Sequence, residues 1–394
     1  LCYSPIPLAS LVGEVGKDQL TILEVEQERL ADYAAEAADV ALQLQEVLGT
    51  ELADAEYEAV CNEIESPLTA VLVNMEHAGV TVNVEVLQEY SEQLGVEIDK
   101  LERSIYEAAG GEFNLNSPKQ LGEILSDRLQ IDFNPKKTRT GQYMTNEQQL
   151  SRYADRHPVI PLLLDYRIVQ KLKSTYVDAL PALVNRRTGR VHTSYNQVGS
   201  STGRISSSDP NLQNIPVRDD LGREVRRAFV AQEGWKLLAA DYSQVELRVL
   251  AHLSQDPGLL AAFGRDEDIH SSTASLVYGV PLQQVTGEMR RMAKVMNFGV
   301  VYGLSAHGIA QQTDISFQEG NAFIHGYFGK YPGIRAYLDA TKHRAYELGY
   351  VETILGRRRS IPDIASSNYQ IRQAAERMAV NMPVQGAAAD IIKI

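Results

Sequence analysis

The sequence predicts an α+β protein in which long helices lie on both sides of a region of short strands. Helical periodicity dominates up to about residue 185, and short β-like runs alternate with Ser/Gly/Asn-rich loops from about residue 190. Helical patterns dominate again from 255 to 345. A chain of 394 residues is long enough for two to four packed units.

The acidic charge of the chain is concentrated in its first quarter. The net charge is −13, but residues 1–110 hold 4 basic and 23 acidic side chains, whereas residues 111–394 hold 34 and 28. Phosphate binding depends on the local field and not on the total charge. A nucleic-acid partner is therefore not excluded.

The sequence has no sign of a membrane or secreted protein. No run approaches the roughly 18 apolar residues of a membrane helix, and the first ten residues lack the features of a signal peptide. Cys2 and Cys61 are expected to be reduced thiols. We expect a cytoplasmic monomer, and the missing initiator Met suggests a fragment.

Four helices are predicted in the first 110 residues. The first is rich in Ala, Leu and Glu, and the last is strongly amphipathic. Gly49, Gly79 and Gly110 follow helical patterns, as expected at helix C-termini, and Ser66–Pro67 closes the second helix. The predicted helices are residues 27–48, 51–65, 67–77 and 84–109.

Helix caps and a basic loop precede the next long helix. Ser117 followed by Pro118 predicts a helix start, and Thr145 with Gln148 predicts a capping box. A basic loop is predicted at residues 134–141. The long helix is expected from about 158 to 185, and it carries Arg167, Lys171 and Lys173.

Two short runs, Arg190–Tyr195 and Trp235–Ala240, are predicted strands. Asp241 follows the second run, and residues 244–254 form a helical pattern. A carboxylate at a strand end can hold a metal ion without being buried. It can equally cap the helix that follows, so the residues alone leave both interpretations open.

Arg290, Lys294, Phe298 and Tyr302 lie at intervals of four, so they follow one face of a predicted helix over 290–303. Two cations at one end and two aromatic rings at the other suit a nucleotide. The cations would meet its triphosphate, and an aromatic face would meet its base. A solvated basic turn followed by core aromatics is the alternative.

Five segments, taken in order, resemble the family A DNA polymerases of the bacterial polymerase I type. Asp241-Tyr-Ser-Gln-Val-Glu-Leu-Arg248 is similar to the family's motif A, and residues 290–303 resemble motif B on its fingers O helix. Three further similar segments lie at 171–178, 201–216 and 381–390. The order and approximate spacing match the family over nearly the whole chain, which makes coincidence negligible.

The resemblance implies a right-hand polymerase with thumb, palm and fingers, preceded by the tail of an RNase H-like 3′–5′ exonuclease domain. The expected parts are the exonuclease tail at residues 1–50, a mostly helical thumb region at 51–185, the first part of the palm at 186–254, the fingers at 255–380 and the return to the palm at 381–394.

The resemblance also implies roles at a nucleotide and metal site. Two Mg²⁺ ions are expected, with Asp241 ligating both and the Tyr242 carbonyl ligating one. The triphosphate of the incoming dNTP would meet Arg290, Lys294 and His270. Phe298 would stack on its sugar and base, and Tyr302 would hold the template side of the insertion site.

Primer–template DNA is the second partner that the resemblance implies. Its minor groove would meet Arg204, Asn214 and Gln385, with Arg377 beside them. Its duplex phosphates would lie near Lys171 and Lys173 on the thumb side.

Glu246 and the basic cluster at residues 357–359 have two interpretations each. Within motif A, Glu246 resembles the family's steric gate against a ribose 2′-OH; alone it would be an exposed helix acid. His270 alone would be a core or helix-start histidine, but its setting after Asp268 resembles the family. The cluster at 357–359 is either a solvated loop or a nucleic-acid contact.

The sequence departs from the family pattern in two places. A further catalytic aspartate of the family lies in a His-Asp-Glu segment beyond the 381–390 motif, and the sequence stops at Ile394. We therefore expect this chain alone to be weakly active or inactive. The third exonuclease motif needs Asp four residues after Tyr33, where the chain has Ala37. Asp39 lies about 240° around the helix from Tyr33, so proofreading is not expected.

The sequence thus predicts a template-directed DNA polymerase that transfers dNTPs to a primer 3′-OH in DNA replication or repair. A single-subunit RNA polymerase shares the palm and a similar fingers helix, but Glu246 argues against it. A non-catalytic DNA-binding module derived from a polymerase is the other alternative. The intact Asp241, Arg290 and Lys294 argue against that module for the parent protein, but not for this chain alone.

Overall fold

The computed structural model of the chain divides into two compact units. It describes residues 3–14, 16, 19–54, 56–131, 141, 143–217, 220–303, 305–312 and 315–394. The first unit comprises Leu1–Thr69, Ser201–Gly203 and Ser243–Ile394, and the second comprises Ala70–Ser200 and Arg204–Tyr242. None of the helices in these described ranges is long and apolar enough to cross a membrane. The five-part division expected from the sequence stays a prediction.

The N-terminal helices are α1 (Leu8–Val12), α2 (Gln27–Asp54) and α3 (Ser66–Ala78). The predicted end of a helix at Gly49 is wrong, because α2 continues through this residue. A glycine inside a helix costs only about 1 kcal/mol relative to alanine. The glycine signal at Gly79 is confirmed, since α3 ends before this residue, whose φ is 60°.

The separate helix predicted over 51–65 is also wrong. Residues 51–54 complete α2, and Val60–Glu65 form a π-helical turn that continues directly into α3. The Ser66 N–H bonds to the Cys61 carbonyl, five residues back. This wider turn accommodates Pro67, which lacks an N–H and would clash in a regular helix. Cys61 is a free thiol, and Cys2 lies outside the described residues.

In the second unit, helices surround one apolar core. They are α4 (Val84–Ala109), α5 (Pro118–Glu123), α6 (Glu147–Ser151), α7 (Val159–Leu172), α8 (Ala179–Ala182) and α9 (Asp220–Arg227). Strand β1 (Ser194–Asn196) pairs antiparallel with β2 (Ser206–Ser208), and Tyr195 lies opposite Ser207.

Helix α4 has the bounds that the sequence predicts. The Asn83 side chain accepts a hydrogen bond from the Val86 N–H (3.2 Å), and Gly110 ends the helix with a φ of 71°. Its apolar stripe is buried and packs on α7 in the core of the second unit. The predicted cap at Ser117 is confirmed as well, because its side chain accepts from the Gln120 N–H.

The predicted capping box at Thr145 is wrong. Helix α6 starts after Asn146, whose side chain accepts a hydrogen bond from the Gln149 N–H at 2.9 Å. Thr145 is buried instead, and its carbonyl and hydroxyl accept hydrogen bonds from Arg167. The helix expected over 158–185 is interrupted by a π-helical turn at Lys173–Val177. Of the predicted basic loop at 134–141, only residue 141 lies within the described residues.

Of the two predicted strands, one is shifted along the chain and the other does not form. Val191 makes an isolated bridge with Val80, and β1 begins three residues later, so the first strand is shifted along the chain. The strand predicted over Trp235–Ala240 is wrong, since these residues form no regular structure. Trp235 is 73% exposed and Leu238 is 93% exposed. A strand needs a pairing partner and a covered face, and this segment has no strand pairing among the described residues.

The rest of the first unit is largely helical. Its helices are α10 (Val245–Ser254), α11 (Pro257–Gly264), α12 (Ile269–Tyr278), α13 (Gly287–Val301), α14 (Ala306–Gln312), α15 (Phe317–Lys330), α16 (Pro332–Leu348) and α17 (Tyr369–Lys393). Strand β3 (Tyr350–Glu352) pairs antiparallel with β4 (Arg358–Ser360). Apolar residues of α10, α13, α15, α16 and α17 share one core.

Arg357 belongs to a buried ion network in the first unit. Its Nε donates to Asp390 Oδ1 at 2.6 Å, and a second guanidinium nitrogen donates to Glu65. Lys393 donates to the same Glu65 carboxylate at 2.6 Å, and the Thr353 hydroxyl donates to Asp390 at 2.8 Å. Arg357 is 8% exposed. The cluster at residues 357–359 was predicted to be either a solvated loop or a nucleic-acid contact. For Arg357 both interpretations are wrong, because it is buried and its charge is paired with two internal carboxylates.

Candidate active site

Asp268 ties the start of α12 to α13. Its carboxylate accepts hydrogen bonds from the His270 N–H (3.0 Å) and the Ser271 hydroxyl (2.9 Å), which caps α12. The Arg290 guanidinium on α13 donates to the same carboxylate. Burial raises the pKa of Asp268, but the hydrogen bonds from Arg290 and Ser271 outweigh it and lower that pKa below its ordinary value. A guanidinium and the positive end of a helix dipole thus lie together.

The predicted stripe on α13 is present in the structure. Arg290, Lys294 and Phe298 lie on successive turns of the helix, and Tyr302 extends the series because its N–H bonds to the Phe298 carbonyl at 2.9 Å. The two cations are exposed and the two aromatic rings are half-buried. The stripe therefore presents charge at one end and ring faces at the other.

The ring of His270 extends the two aromatic rings of this stripe into a series of three. The His270 and Phe298 ring centroids are 5.8 Å apart with a 45° interplanar angle. The Phe298 and Tyr302 centroids are 6.0 Å apart and more nearly parallel, at 29°. His270 is buried. Burial lowers the pKa of His270; Asp268 opposes this effect, and Arg290 and Lys294 add to it. At neutral pH the imidazole is therefore uncharged.

Glu246 closes the aromatic end of the series. It lies in the first turn of α10 and is 9% exposed, so the interpretation as an exposed helix acid is wrong. The Tyr302 hydroxyl donates a hydrogen bond to its carboxylate. Arg290, His270, Phe298, Tyr302 and Glu246 thus form one connected surface within the first unit.

Two residues that contact this surface were not singled out from the sequence. Asp268 has a local signal, since an Asp at a helix start is a frequent N-cap. Asn297 has none: it is a buried polar residue on α13 whose amide Nδ2 lies 3.0 Å from His270 Nδ1. Its partner is 27 residues away in sequence, so only the packing of α12 on α13 brings the two together.

Helix α17 carries a second group of predicted residues. Arg377 and Gln385 are eight positions apart, and Asn381 lies between them on the same broad face. The Asn381 Oδ1 atom is buried without a hydrogen-bond partner among the described residues. Arg377 lies against the residue after Tyr302, because a Cβ added at Gly303 would be 3.0 Å from Arg377 Cγ. The stripe on α13 and the polar face of α17 therefore meet.

In the second unit, Lys171 and Asn214 line one cavity of about 490 Å³. The Tyr176 hydroxyl donates to the Asn214 carbonyl at 2.6 Å, which fixes the loop against the end of α7. Both predicted DNA contacts are exposed. The structure therefore brings together one residue from α7 and one from the 201–216 segment.

Lys173 and Arg204 do not join this cavity. The Lys173 Nζ lies 2.5 Å from the Ser91 hydroxyl and 2.9 Å from both carboxylate oxygens of Asp178. Its charge is thus already paired inside the second unit. Arg204 lies two residues before β2 and is exposed.

Asp241 and Tyr242 end the second unit and are exposed. Helix α10 starts after Gln244, which has a left-handed backbone conformation and whose side chain makes no capping hydrogen bond. The N-cap position is therefore not Asp241, and the interpretation of Asp241 as a helix cap is wrong. A carboxylate and a backbone carbonyl are oxygen ligands of the kind that Mg²⁺ takes. No group of three or more acidic, His or Cys side chains suited to a metal occurs in the described ranges. The Asp241 carboxylate and the Tyr242 carbonyl are thus single oxygen donors at an exposed position.

Comparisons with known proteins agree with this geometry. The family model described as DNA polymerase family A matches residues 84–394. The chain is 49% identical over 395 residues to DNA polymerase I of Pseudomonas aeruginosa, covering all of this chain and 43% of that protein. It is 50% identical over 332 residues to the thermostable DNA polymerase I of Thermus aquaticus, covering 84% of this chain and 40% of that protein.

A solved structure is similar over most of the chain. It is described as the POL domain of Pol1 from M. smegmatis in complex with DNA primer-template and dNTP. The TM-score is 0.85 at 43% sequence identity, and the match covers 94% of this chain and 65% of that one. This likeness confirms the predicted polymerase fold. The chain spans less than half the length of the curated relatives it matches.

Proposed function

This chain belongs to DNA polymerase family A, and we propose that the protein of which it is part adds deoxynucleotides to a primer 3′-OH under the direction of a DNA template. The observation that carries the proposal is the connected surface of Arg290, His270, Phe298, Tyr302 and Glu246. It offers a cation for phosphates, with Lys294 one turn further along α13, together with ring faces for a base and an acid beside the rings.

The reaction transfers one deoxynucleotidyl group to the primer. The primer 3′-hydroxyl gives up its proton to solvent and its oxygen bonds to the α-phosphorus of the dNTP. The bond from that phosphorus to the oxygen that bridges it to the β-phosphorus breaks, and pyrophosphate leaves. Negative charge grows on the departing oxygens as this happens. Arg290 and Lys294 would neutralise that charge, and His270 would donate a ring N–H to a phosphate oxygen. Phe298 would stack on the sugar and base, and Tyr302 would hold the template side of the insertion site.

The metal site is proposed from its oxygen donors. Asp241 would ligate two Mg²⁺ ions, and the Tyr242 carbonyl one of them, with substrate phosphates supplying further ligands. When bound, such ions would supply Lewis-acid activation of the attacking hydroxyl and charge stabilisation at the leaving oxygen. The exposure of Asp241 leaves its carboxylate accessible to both ions and substrate.

DNA binding is proposed for the polar face of α17 and for the cavity that holds Lys171 and Asn214. Arg377 and Gln385 would reach the minor groove, where acceptors are shared by all correct base pairs. Arg204 and Asn214 would contact the same groove, and Lys171 a duplex phosphate. Lys173 is also proposed to lie near a duplex phosphate, although its charge is paired with Asp178. A cytoplasmic location and a monomeric state stay predictions.

Glu246 favours DNA synthesis over RNA synthesis. Its carboxylate is held by Tyr302 next to the Phe298 ring. A ribose 2′-OH arriving there would meet a fixed, nearly buried acid, and a clash of this type lowers affinity for the wrong sugar.

Primer extension by this chain tests the proposal, with Mg²⁺, four dNTPs and an Asp241→Ala variant. Extension by the chain that the variant loses supports template-directed synthesis through Asp241. Equal extension by both would overturn the role of Asp241. If neither extends the primer while both bind the duplex in fluorescence anisotropy, the chain alone acts as the non-catalytic DNA-binding module.

A further inference from the structure

We propose that Asn297 is a positioning residue that holds His270 in the tautomer with its proton on Nε2, so that the ring donates a directed hydrogen bond to a phosphate oxygen. The proposal rests on the nucleotide site proposed above and deepens it. It concerns a residue to which neither the stripe on α13 nor the family motifs drew attention.

The contact between the two side chains fixes the proton by elimination. Asn297 Nδ2 lies 3.0 Å from His270 Nδ1, and both residues are buried. An amide NH₂ has donors and no lone pair to accept with, so His270 Nδ1 must be the acceptor. A neutral imidazole carries one N–H. That proton is therefore on Nε2.

The opposite orientation of the amide is the less favourable one. Turning it would place Asn297 Oδ1 against a protonated Nδ1 and leave the NH₂ group, with two donors, at the enclosed position now held by Oδ1. In the observed orientation the unpaired buried atom is Oδ1, a carbonyl oxygen. Orphaned buried N–H groups are rarer than under-satisfied carbonyls, so packing favours the donor contact to Nδ1.

Burial and two nearby cations favour the neutral form of the His270 ring. Asp268 stands before it at the start of α12, and Arg290 and Lys294 face it from α13. Burial, together with the two cations, lowers the pKa of His270 against the opposing effect of Asp268. No hydrogen bond to Nε2 occurs among the described residues, and Nε2 is not among their fully buried atoms that lack a partner. We infer that this N–H is the donor available to a phosphate bound by Arg290 and Lys294.

Two kinds of group would bind the triphosphate in different ways. Arg290 and Lys294 supply positive charge, which attracts phosphate from any direction. His270 supplies one N–H with a fixed direction, and a phosphate oxygen is its natural acceptor. Because Asn297 is on α13 and His270 is on α12, the direction of that donor depends on how the two helices pack.

Nuclear magnetic resonance of the whole chain, labelled with ¹⁵N-histidine, tests the tautomer directly. Long-range ¹H–¹⁵N correlation spectra at pH 7.5 separate the two neutral forms and the imidazolium, and the His270→Gln variant assigns the signal among eight histidines. We expect an unprotonated Nδ1 and a protonated Nε2. A protonated Nδ1, in the other tautomer or in the imidazolium, would overturn the proposal without any variant at Asn297.

Asn297→Asp and Asn297→Leu then separate positioning from packing. The Asp variant replaces the donor by an acceptor, so His270 should gain a proton on Nδ1 and its titration midpoint should rise by at least one pH unit. The Leu variant keeps a similar volume and should give a mixture of tautomers. An unchanged His270 signal in both variants contradicts the positioning role.

Tripolyphosphate is the probe for the phosphate contact. Added to the wild-type chain, it should shift the His270 Nε2 signal and leave Nδ1 unprotonated. A correct tautomer with no response to tripolyphosphate would overturn the triphosphate role of His270 and leave the Asn297 contact standing. The tautomer of His270 and its contact with a triphosphate are therefore tested separately.

Discussion

The phenolic hydroxyl of Tyr302 donates a hydrogen bond to the carboxylate of Glu246. The bond joins the turn that follows α13 to the first turn of α10. Phe298 stacks on Tyr302, so the acid, the phenol and the second ring form one wall. A sugar placed against Phe298 would meet Glu246 in a fixed position, and this makes the wall a basis for choosing between sugars.

Replacing Glu246 by Ala should weaken the preference for dNTP over rNTP. The variant removes the group that clashes with a 2′-OH, so we expect the ratio of the two dissociation constants to fall by roughly tenfold, about 1.4 kcal/mol. Nucleotide binding to the chain on a primer–template measures it. Glu347→Ala, an exposed acid at the end of α16, is the control and should keep the wild-type ratio. A ratio that survives Glu246→Ala removes the residue from sugar selection.

Lys171→Ala and Lys173→Ala should affect DNA binding differently. Lys171 is exposed at the cavity shared with Asn214, whereas Lys173 is paired with Asp178. Loss of one phosphate contact lowers the slope of log K against log salt by about 0.9. We expect this change for Lys171→Ala only. Fluorescence anisotropy with a primer–template, at about 50 to 200 mM salt, measures this slope for both variants. Equal slope changes in the two variants would show that the ion pair with Asp178 does not keep Lys173 from contacting a DNA phosphate.

Asp390→Ala should destabilise the first unit strongly. It leaves the buried Arg357 guanidinium with one carboxylate partner instead of two. Removing one member of a buried ion pair costs about 3–5 kcal/mol. Urea unfolding followed by circular dichroism measures the loss. Arg344→Ala, which breaks the more exposed pair with Glu352, should cost only about 0.2–1 kcal/mol. Similar losses for both variants would mean that the network is not a stabilising element.

Asp268→Asn should remove a pH-dependent part of the stability. The folded-state pKa of Asp268 is lowered, so its contribution is present above the unfolded pKa of about 3.9 and is lost as pH falls through the folded value. The difference in unfolding free energy between wild type and Asp268→Asn should therefore be largest near neutral pH and shrink in acid. Asp339→Asn, in an exposed pair with Arg335, is the control. A difference that stays constant down to acid pH argues against the Asp268–Arg290 contact.

Local chemistry made parts of the fold predictable. Helix α4 could be located to the residue because Asn83, an amphipathic stripe and Gly110 all indicate the same element. The spacing of Arg290, Lys294 and Phe298 similarly predicted the stripe on α13. In these places propensity, periodicity and capping agree.

Other features depend on partners that lie far away in the chain. The segment 235–240 has strand-like residues, but strand formation needs a neighbour to pair with. Arg357 is a basic residue in a turn by sequence, and only the approach of Glu65 and Asp390 makes it internal. Asn297 carries no local signal, since its partner His270 is supplied by another helix. Long-range packing decided each of these cases.

Binding of a fluorescent dNTP to the chain on a primer–template tests the central claim most directly. The claim is that the cations of the α13 stripe hold the triphosphate. Arg290→Ala and Lys294→Ala should each weaken binding by at least about tenfold, which corresponds to 1.4 kcal/mol. Arg291→Ala is the matched control, since Arg291 is adjacent, 72% exposed and off the stripe. It should bind like wild type. Equal affinity in all four proteins would contradict the claim.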